Sequence, residues 1–479
     1  MTNTTIVWIR QDFRTIDHQA LSEGAKRGLV VPLYIHDEQY EGSHQRGAAS
    51  KWWLHHALKD FKKQLEDLGA TLIVRKGNTK EELEKVIQKT GADALYFHRR
   101  YEPDILKNDV KLVKKLKTEH FTVETFESHL LLPPWENLNK SGEPYKVYTP
   151  YYKSFRKRPV PAPVKKLSSL SIPGVSLDSI EIEELALIPT VRWDQTIQKT
   201  WDPTEQGAHH VLAHFLKKRM LNYDNGRDFP GNRYVSELSP YLAFGQLSVR
   251  SLYHYLLQKR DETQNNKFPE QAESFIKQLI WREFSYHILY HFPHSIKEPL
   301  NERFKKFAWE KSESHYKAWK EGKTGYPLVD AGMRELWATG YMHNRVRMIV
   351  GSFLVKHLLI HWKEGEKWFW DTLVDADLAN NTFGWQWASG SGADAAPYFR
   401  IFNPTVQGER FDKEGNYVKK WIPELKHLPK RYLHKPWEAP AEVLKEACIE
   451  LGKDYPHPVV DHKEARERAL QRYDAVKSS

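Results

Sequence analysis

Asp375-Ala376-Asp377-Leu378-Ala379-Asn380-Asn381-Thr382-Phe383-Gly384-Trp385-Gln386-Trp387 brings two carboxylates, a paired amide and two tryptophans into one short run. It continues through Ala388-Ser389-Gly390-Ser391-Gly392 to Tyr398-Phe399-Arg400. Asp375 and Asp377 stand too close for an i,i+4 pairing. Asn380-Asn381 and the glycines predict a turn or loop rather than a long helix. Taken singly, Trp385 or Trp387 reads as an ordinary buried tryptophan. The whole run, dense in aromatic, amide and carboxylate groups, suits a flat heteroaromatic ligand with a hydrogen-bonding edge.

Working outward, the composition sets bounds. A chain of 479 residues accommodates two or more domains and a large core. Its formal charge of +10, most of it beyond residue 130, points to a polyanionic partner. Cys448 is the single cysteine. An internal disulfide and a cysteine-ligated iron–sulfur cluster are therefore excluded, and a reducing, cytoplasmic compartment is expected. No basic segment precedes an apolar run at Met1-Thr2-Asn3-Thr4-Thr5, so no signal peptide is read. No 18-residue apolar stretch exists to span a membrane. No metal is expected, and the chain is read as a monomer. Twelve of the 17 tryptophans lie beyond residue 200, which places the aromatic chemistry there.

Strand patterns at residues 4–9, 29–35, 71–74, 94–97 and 121–126 alternate with helical ones at 50–68, 79–87 and 102–116. A further helix through Leu21 and Ala25 has Asp17 as its expected cap. This predicts an α/β domain over 1–130, a doubly wound parallel sheet of about five strands. Residues 131–200 are Pro-rich and read as a long linker with one short helix near 150–155. Residues 201–479 read as all-helical, with helices at 209–221, 247–257, 270–290, 328–339 and 342–361. Arg10-Gln11-Asp12-Phe13-Arg14 follows the first strand, so the Gly-rich dinucleotide fingerprint is absent. A ligand crevice at the strand ends is still open to Arg10, Arg99, Arg100 and Glu102.

The run from Asp375 resembles the flavin-binding signature of the DNA photolyase/cryptochrome family. Met342-His343-Asn344-Arg345-Val346-Arg347-Met348 resembles the same family, most closely its class I cyclobutane-pyrimidine-dimer photolyases. Trp8-Ile9-Arg10-Gln11-Asp12-Phe13-Arg14 is similar to the first strand and loop of photolyases, whose α/β domain carries a light-harvesting antenna. The resemblance implies FAD in an all-helical FAD-binding domain, a second antenna chromophore (deazaflavin, folate or another flavin), and UV-damaged DNA as partner. Tyr101-Glu102 is followed by Pro103-Asp104-Ile105, without the Asn-Glu pair of some folate-binding relatives.

Residue by residue, the resemblance pairs Arg347 with Asp375 beside the flavin ring and sets Asn381 opposite flavin N5. It assigns Tyr223, Ser236, Leu238, Ser239, Arg282, Asn344 and Asp377 to the cofactor as well. Ser239 before Pro240 is expected to cap a helix whose amides face phosphate. Val235 and Glu237 stand where the family usually has threonine and arginine. Trp385, Trp362 and Trp309 match the tryptophan chain that re-reduces the flavin. Trp281 and Trp387 match the aromatic walls of a flipped-out dimer. Arg227, Arg345 and Arg400 match basic residues near the lesion's backbone, and Met348 lies on the lesion side.

One departure bears on the substrate. Gln278 stands where class I dimer photolyases usually have glutamate, as in (6-4) photolyases, which carry histidines where this chain has Asn344 and Met348. The reading is light-driven repair of cyclobutane dimers by reduced FAD; a (6-4) photolyase and a cryptochrome-type light sensor are the alternatives.

Overall fold

The computed structural model describes residues 3–117, 120–395 and 399–477, so Tyr398 lies outside the described residues. Five strands, β1 (Asn3–Ile9), β2 (Gly28–His36), β3 (Ile73–Lys76), β4 (Ala94–His98) and β5 (Thr122–Phe126), form one parallel sheet in the order β3-β2-β1-β4-β5. Thr5 pairs with Val30 on one side of β1 and with Ala94 on the other. The central strands β1, β2 and β4 read as largely apolar runs because helices cover both faces of such a sheet, whereas the edge strands β3 and β5 carry charged residues. Ile6, Trp8, Leu33, Leu95 and Phe97 are buried in its core.

The strand order reverses at β1 and β4, and charged residues collect at the ends of these strands. Asp12 binds His98 Nδ1 at 2.6 Å and lies 3.1 Å from His18 Nε2. The far nitrogens of both rings accept backbone N–H groups, from Leu21 to His18 and from Ala20 to His98. Both near nitrogens therefore carry their protons toward Asp12. A metal ion needs bare nitrogens facing it, so this buried trio is a latch between β1 and β4. Burial alone would raise the Asp12 pKa, but the two imidazoles hold it well below the usual carboxylate range.

The expected Asp17 cap is corrected. His18 caps the Gln19–Arg27 helix. Asp17, in the left-handed region at φ 55°, instead accepts from Ser248 Oγ at 2.5 Å and from Arg250 Nε at 3.2 Å.

The contacts group the chain differently from a division at 130 and 200. One compact unit holds Met1–Leu221, Ser236–Pro293 and Val374–Ala379; the other holds Asn222–Val235, His294–Leu373 and Asn380–Ser479. The first contains the sheet, the connecting helix Tyr148–Phe155, and the long helices Val249–Glu262 and Phe268–His291. The second is helical, with Glu313–Lys320, Pro327–Thr339, Asn344–Ser352, Trp362–Thr372 and His462–Lys477 among its helices. Among the described residues no helix is long and apolar enough to cross a membrane.

The loop expected at Asn380-Asn381 is also corrected. Leu378–Ser389 is a helix. Asn381 spends its amide on the Glu366 carbonyl at 3.0 Å instead of on its own backbone, which removes the usual competition of asparagine with helix. Gly390, at φ 86°, follows the helix end.

Candidate active site

In the first unit, Asp375 is buried and accepts a hydrogen bond from Ser239 Oγ at 2.6 Å. Ser239 is the first residue of the short helix Ser239–Ala243, whose cap position is Leu238 with no side-chain cap bond. The expected capping role is therefore replaced by a direct bond to Asp375. Ser236 Oγ accepts from the Leu238 amide at 3.4 Å, and Glu237, at φ 59°, pairs with Arg219 at 2.7 Å. The acid that stands where the family has arginine is thus neutralised by a cation eighteen residues upstream.

Asp377 is also buried and accepts the Tyr286 hydroxyl in a short hydrogen bond. His129 Nε2 lies 3.6 Å from it, and Arg282 donates to the His129 carbonyl at 2.6 Å. Burial acts to raise the Asp377 pKa, yet His129 and Arg282 push it far below the usual range. Burial and Arg282 drive His129 down to about 4, so its ring is neutral at pH 7. Asp377 and Arg282 therefore hold the segment before the Leu378–Ser389 helix against the Phe268–His291 helix.

On that long helix, Gln278 donates to the Ser274 carbonyl at 3.5 Å. Trp281 stacks on Tyr148 with ring centroids 3.5 Å apart and planes 10° from parallel. Sequence reasoning missed Tyr148. It sits in the Pro-rich connection, where only a short tyrosine-rich helix pattern hinted at a packed element.

In the second unit, Asn381 is buried, and its Nδ2 bond to Glu366 fixes the flip of the amide. The carboxamide nitrogen is thereby the donor side and Oδ1 the acceptor side of this group. Trp385 lies against Gly365, where an added Cβ would fall 2.1 Å from the indole; only glycine permits this approach. Its ring contacts are Phe369, edge-on at 5.0 Å, and Trp319 at 6.1 Å. Buried Trp362 stacks on His361 at 5.5 Å, and His361 meets Trp309 at 5.0 Å. The imidazole thus bridges two of the three expected tryptophans. Neither it nor Trp319 was legible as an insert, because nothing in their spacing separates them from ordinary helix packing.

His343 caps the Asn344–Ser352 helix through its ring, and burial drives its pKa down to about 4. Asn344 is exposed and Met348 half-buried. Arg347 donates to the Met342 carbonyl at 2.6 Å. Arg345 pairs with Asp228 at 2.5 Å and lies over Phe411. Arg227 lies over the Tyr223 ring, whose hydroxyl burial pushes up to about 12. Trp387 is half-buried, and Arg400 is exposed.

The Arg400 carbonyl accepts from buried Lys356 in a short bond. Burial, and then the nearby Arg400 charge, lower the Lys356 pKa to about 7. The folded value lies below the unfolded one, so burying this lysine costs stability below pH 7, and the cost fades as pH rises toward 10.5. Lys356→Met should accordingly raise thermal stability most at pH 6, on the order of 2 kcal/mol after the lost bond is counted, and least near pH 10. Melting curves across that range check the sign.

Two small spaces lie at the strand ends of the α/β side. The space at the ends of β1 and β4, lined by Arg10, Arg99, Arg100 and Glu102, is about 10 Å³, and a neighbouring one beside Trp8 and Tyr34 is about 30 Å³. Each holds about a water molecule or two. Arg10 is paired with Asp109 at 2.8 Å and Arg100 with Glu102 at 2.6 Å. Burial works against the Glu102 charge, but Arg100 outweighs it and brings the pKa to about 2. Arg10, Arg100 and Glu102 are thus spent on one another or on Asp109, and Arg99 lies over the Trp135 ring at 5.7 Å.

Residues 5–166 match the family described as DNA photolyase, and residues 275–475 match the FAD binding domain of DNA photolyase. A deoxyribodipyrimidine photo-lyase of Agrobacterium fabrum is 45% identical, covering 100% of this chain and 99% of that protein. The chain belongs to the photolyase/cryptochrome family. Cryptochrome-2 of Arabidopsis thaliana is 38% identical over 98% of the chain and 78% of its own length. The crystal structure of a bacterial class III photolyase from Agrobacterium tumefaciens superposes with a TM-score of 0.95 at 45% identity, covering 100% of this chain and 98% of that one. The expected likeness to class I is qualified by this match, since the structure that superposes at 45% identity is described as a class III photolyase. Residues 275–475 form an FAD-binding domain, as the resemblance of the run from Asp375 implied.

Proposed function

We propose that this photolyase-family chain is a light-driven repair lyase acting on cyclobutane pyrimidine dimers in UV-damaged DNA. The full-length 45% identity to a deoxyribodipyrimidine photo-lyase carries the reading. The residues present fit FAD: a buried carboxylate fixed by a hydroxyl at Asp375, a buried amide with its oxygen free to accept at Asn381, and an indole clamped by glycine at Trp385. Bound FAD, in its reduced form, supplies one electron to the dimer on absorbing blue light and takes it back after the ring splits.

The chain's own residues orient and exclude water. Asp375 anchors the flavin edge, with Arg347 as its proposed partner. Asn381 accepts a proton-bearing nitrogen without adding a negative charge. Trp281, held flat by Tyr148, offers one face to an extruded base, with Trp387 proposed opposite. Gln278 is proposed to donate its amide N–H to a pyrimidine carbonyl.

The assay is blue-light repair of two oligonucleotides, one with a cyclobutane thymine dimer and one with a (6-4) photoproduct, with the FAD chemically reduced. Repair of the first alone is expected. Gln278→Ala should lower its quantum yield, since a hydrogen bond to a charged intermediate is worth roughly 1.5–3 kcal/mol, and Gln278→Glu should preserve or raise it. Repair of only the second lesion reassigns the substrate. Repair of neither favours the light-sensor reading, which the 38% identity to a cryptochrome also supports.

DNA affinity should fall with salt, at about 0.9 of a log unit per log unit for each phosphate contacted. Arg400→Ala should flatten that slope by close to one contact. Arg345→Ala should do less, because Asp228 already pairs with it. Titrations at three salt concentrations separate the two.

A further inference from the structure

We propose that Lys356 is a positioning residue for DNA: its buried ammonium pins the backbone of Phe399-Arg400-Ile401 so that the Arg400 guanidinium stands out toward a phosphate beside the lesion. The proposal rests on the DNA-repair reading and deepens it at one contact. Side chains alternate along the pinned segment. Phe399 and Ile401 are partly buried and pack on the cluster of Phe304, Phe307 and Leu359, while Arg400 is exposed. The Phe399 ring stacks on Tyr473 with centroids 4.4 Å apart and planes 9° from parallel. The bare backbone of Gly390 lies close to the same ring, which an added Cβ would approach to 3.1 Å.

Lys356 completes the anchorage from the interior. Its ammonium donates to the Arg400 carbonyl and lies 4.7 Å from the Phe399 ring centroid. All of these residues belong to the second unit. The backbone that carries the lysine is itself irregular. The Leu358 N–H donates to the Phe353 carbonyl, five residues back, at 3.1 Å, so Phe353–His357 is a π turn. Leu359, fully buried, then sits in the left-handed region at φ 54°. Turns and backbone angles of this kind gather at functional sites.

Folding alone does not call for this arrangement. Arg400 lies on an exposed segment, where water serves a backbone carbonyl as well as a lysine does. A methionine would fill the same buried space without a charge. The buried ammonium instead costs stability, and the nearby Arg400 charge adds to that cost. An anion bound at Arg400 offsets the repulsion between the two cations. A phosphodiester is therefore the fitting ligand for this arm of the site. Stability given up one hydrogen bond away from a ligand-binding arginine is the pattern of a residue kept for function.

The test is dark binding of FAD-loaded full-length protein to a duplex carrying one cyclobutane thymine dimer, at three salt concentrations. Lys356→Met should weaken binding about fivefold and flatten the salt slope part of the way toward that of Arg400→Ala. The double variant should bind no more weakly than Arg400→Ala alone, since the lysine acts through the arginine. A merely structural lysine would give the opposite pattern, with lower thermal stability and the salt slope kept. Lys356→Met should instead melt no lower than wild type at pH 6, and its defect should lie in Kd, with the repair yield recovered at saturating DNA. Should Lys356→Met not fold, Phe399→Ala, which frees the same segment at its other anchor, should show the same change of slope. Wild-type affinity and slope in Lys356→Met, alongside a weakened Arg400→Ala, overturn the proposal and leave the repair reading standing. A double variant weaker than Arg400→Ala by a further fivefold or so overturns it as well. Unchanged binding in Arg400→Ala removes the arginine's contact from the repair reading, and this proposal with it.

Discussion

Asp375→Ala should purify with most of its FAD lost, while far-UV circular dichroism stays as in wild type. The wild-type carboxylate is buried and receives the Ser239 hydroxyl at 2.6 Å, so it is ordered before any ligand arrives. The family resemblance proposes Arg347 and the flavin edge as its partners. Removing one partner of a buried charged pair costs roughly 3–5 kcal/mol, because the other charge remains desolvated. At about 1.4 kcal/mol per tenfold, that weakens FAD binding by roughly two to three and a half orders of magnitude. Ser239→Ala removes one hydroxyl and leaves the carboxylate, so its loss should be smaller, about one order. The ratio of flavin to protein absorbance after gel filtration reads both. Full occupancy in Asp375→Ala would move the anchor to another residue.

The sheet was legible because strand and helix periods alternate cleanly, and no long-range choice competes with them up to Phe126. The helix at Leu378–Ser389 was not. Asn380, Asn381 and Gly384 all argue locally for a turn, and the bond from Asn381 to Glu366, fifteen residues away, reverses that preference. Ser239 shows the same limit: Ser-Pro predicts a cap, yet the hydroxyl goes to a carboxylate 136 residues downstream. Resemblance named Arg282 and Asp377 as cofactor residues, but only coordinates reveal that each is engaged with His129 or Tyr286. Strand-end charges at Arg10, Arg100 and Glu102 suggested an antenna crevice. Whether charges line a cavity or neutralise one another depends on packing, which composition does not record.

Trp385→Phe should slow blue-light reduction of the bound FAD by an order of magnitude or more in the presence of a thiol. The indole is buried at the Gly365 contact, edge-on to Phe369 and touching Trp319, so it is held rigidly in the core. A phenyl ring fits the same slot but is much harder to oxidise, so the first hop away from the flavin fails. The lost ring volume leaves a small cavity, which should cost on the order of 1 kcal/mol of stability and leave FAD occupancy near wild type. Repair then becomes the discriminating measurement. With FAD reduced chemically beforehand, Trp385→Phe should split dimers at the wild-type yield, because the proposed repair step never passes through this residue. Trp309→Phe should slow photoreduction too, since Trp309 meets His361, which in turn stacks on Trp362. If Trp385→Phe photoreduces as fast as wild type, the path leaves the flavin elsewhere. If it also loses repair after chemical reduction, the indole serves to position the flavin and not to carry charge.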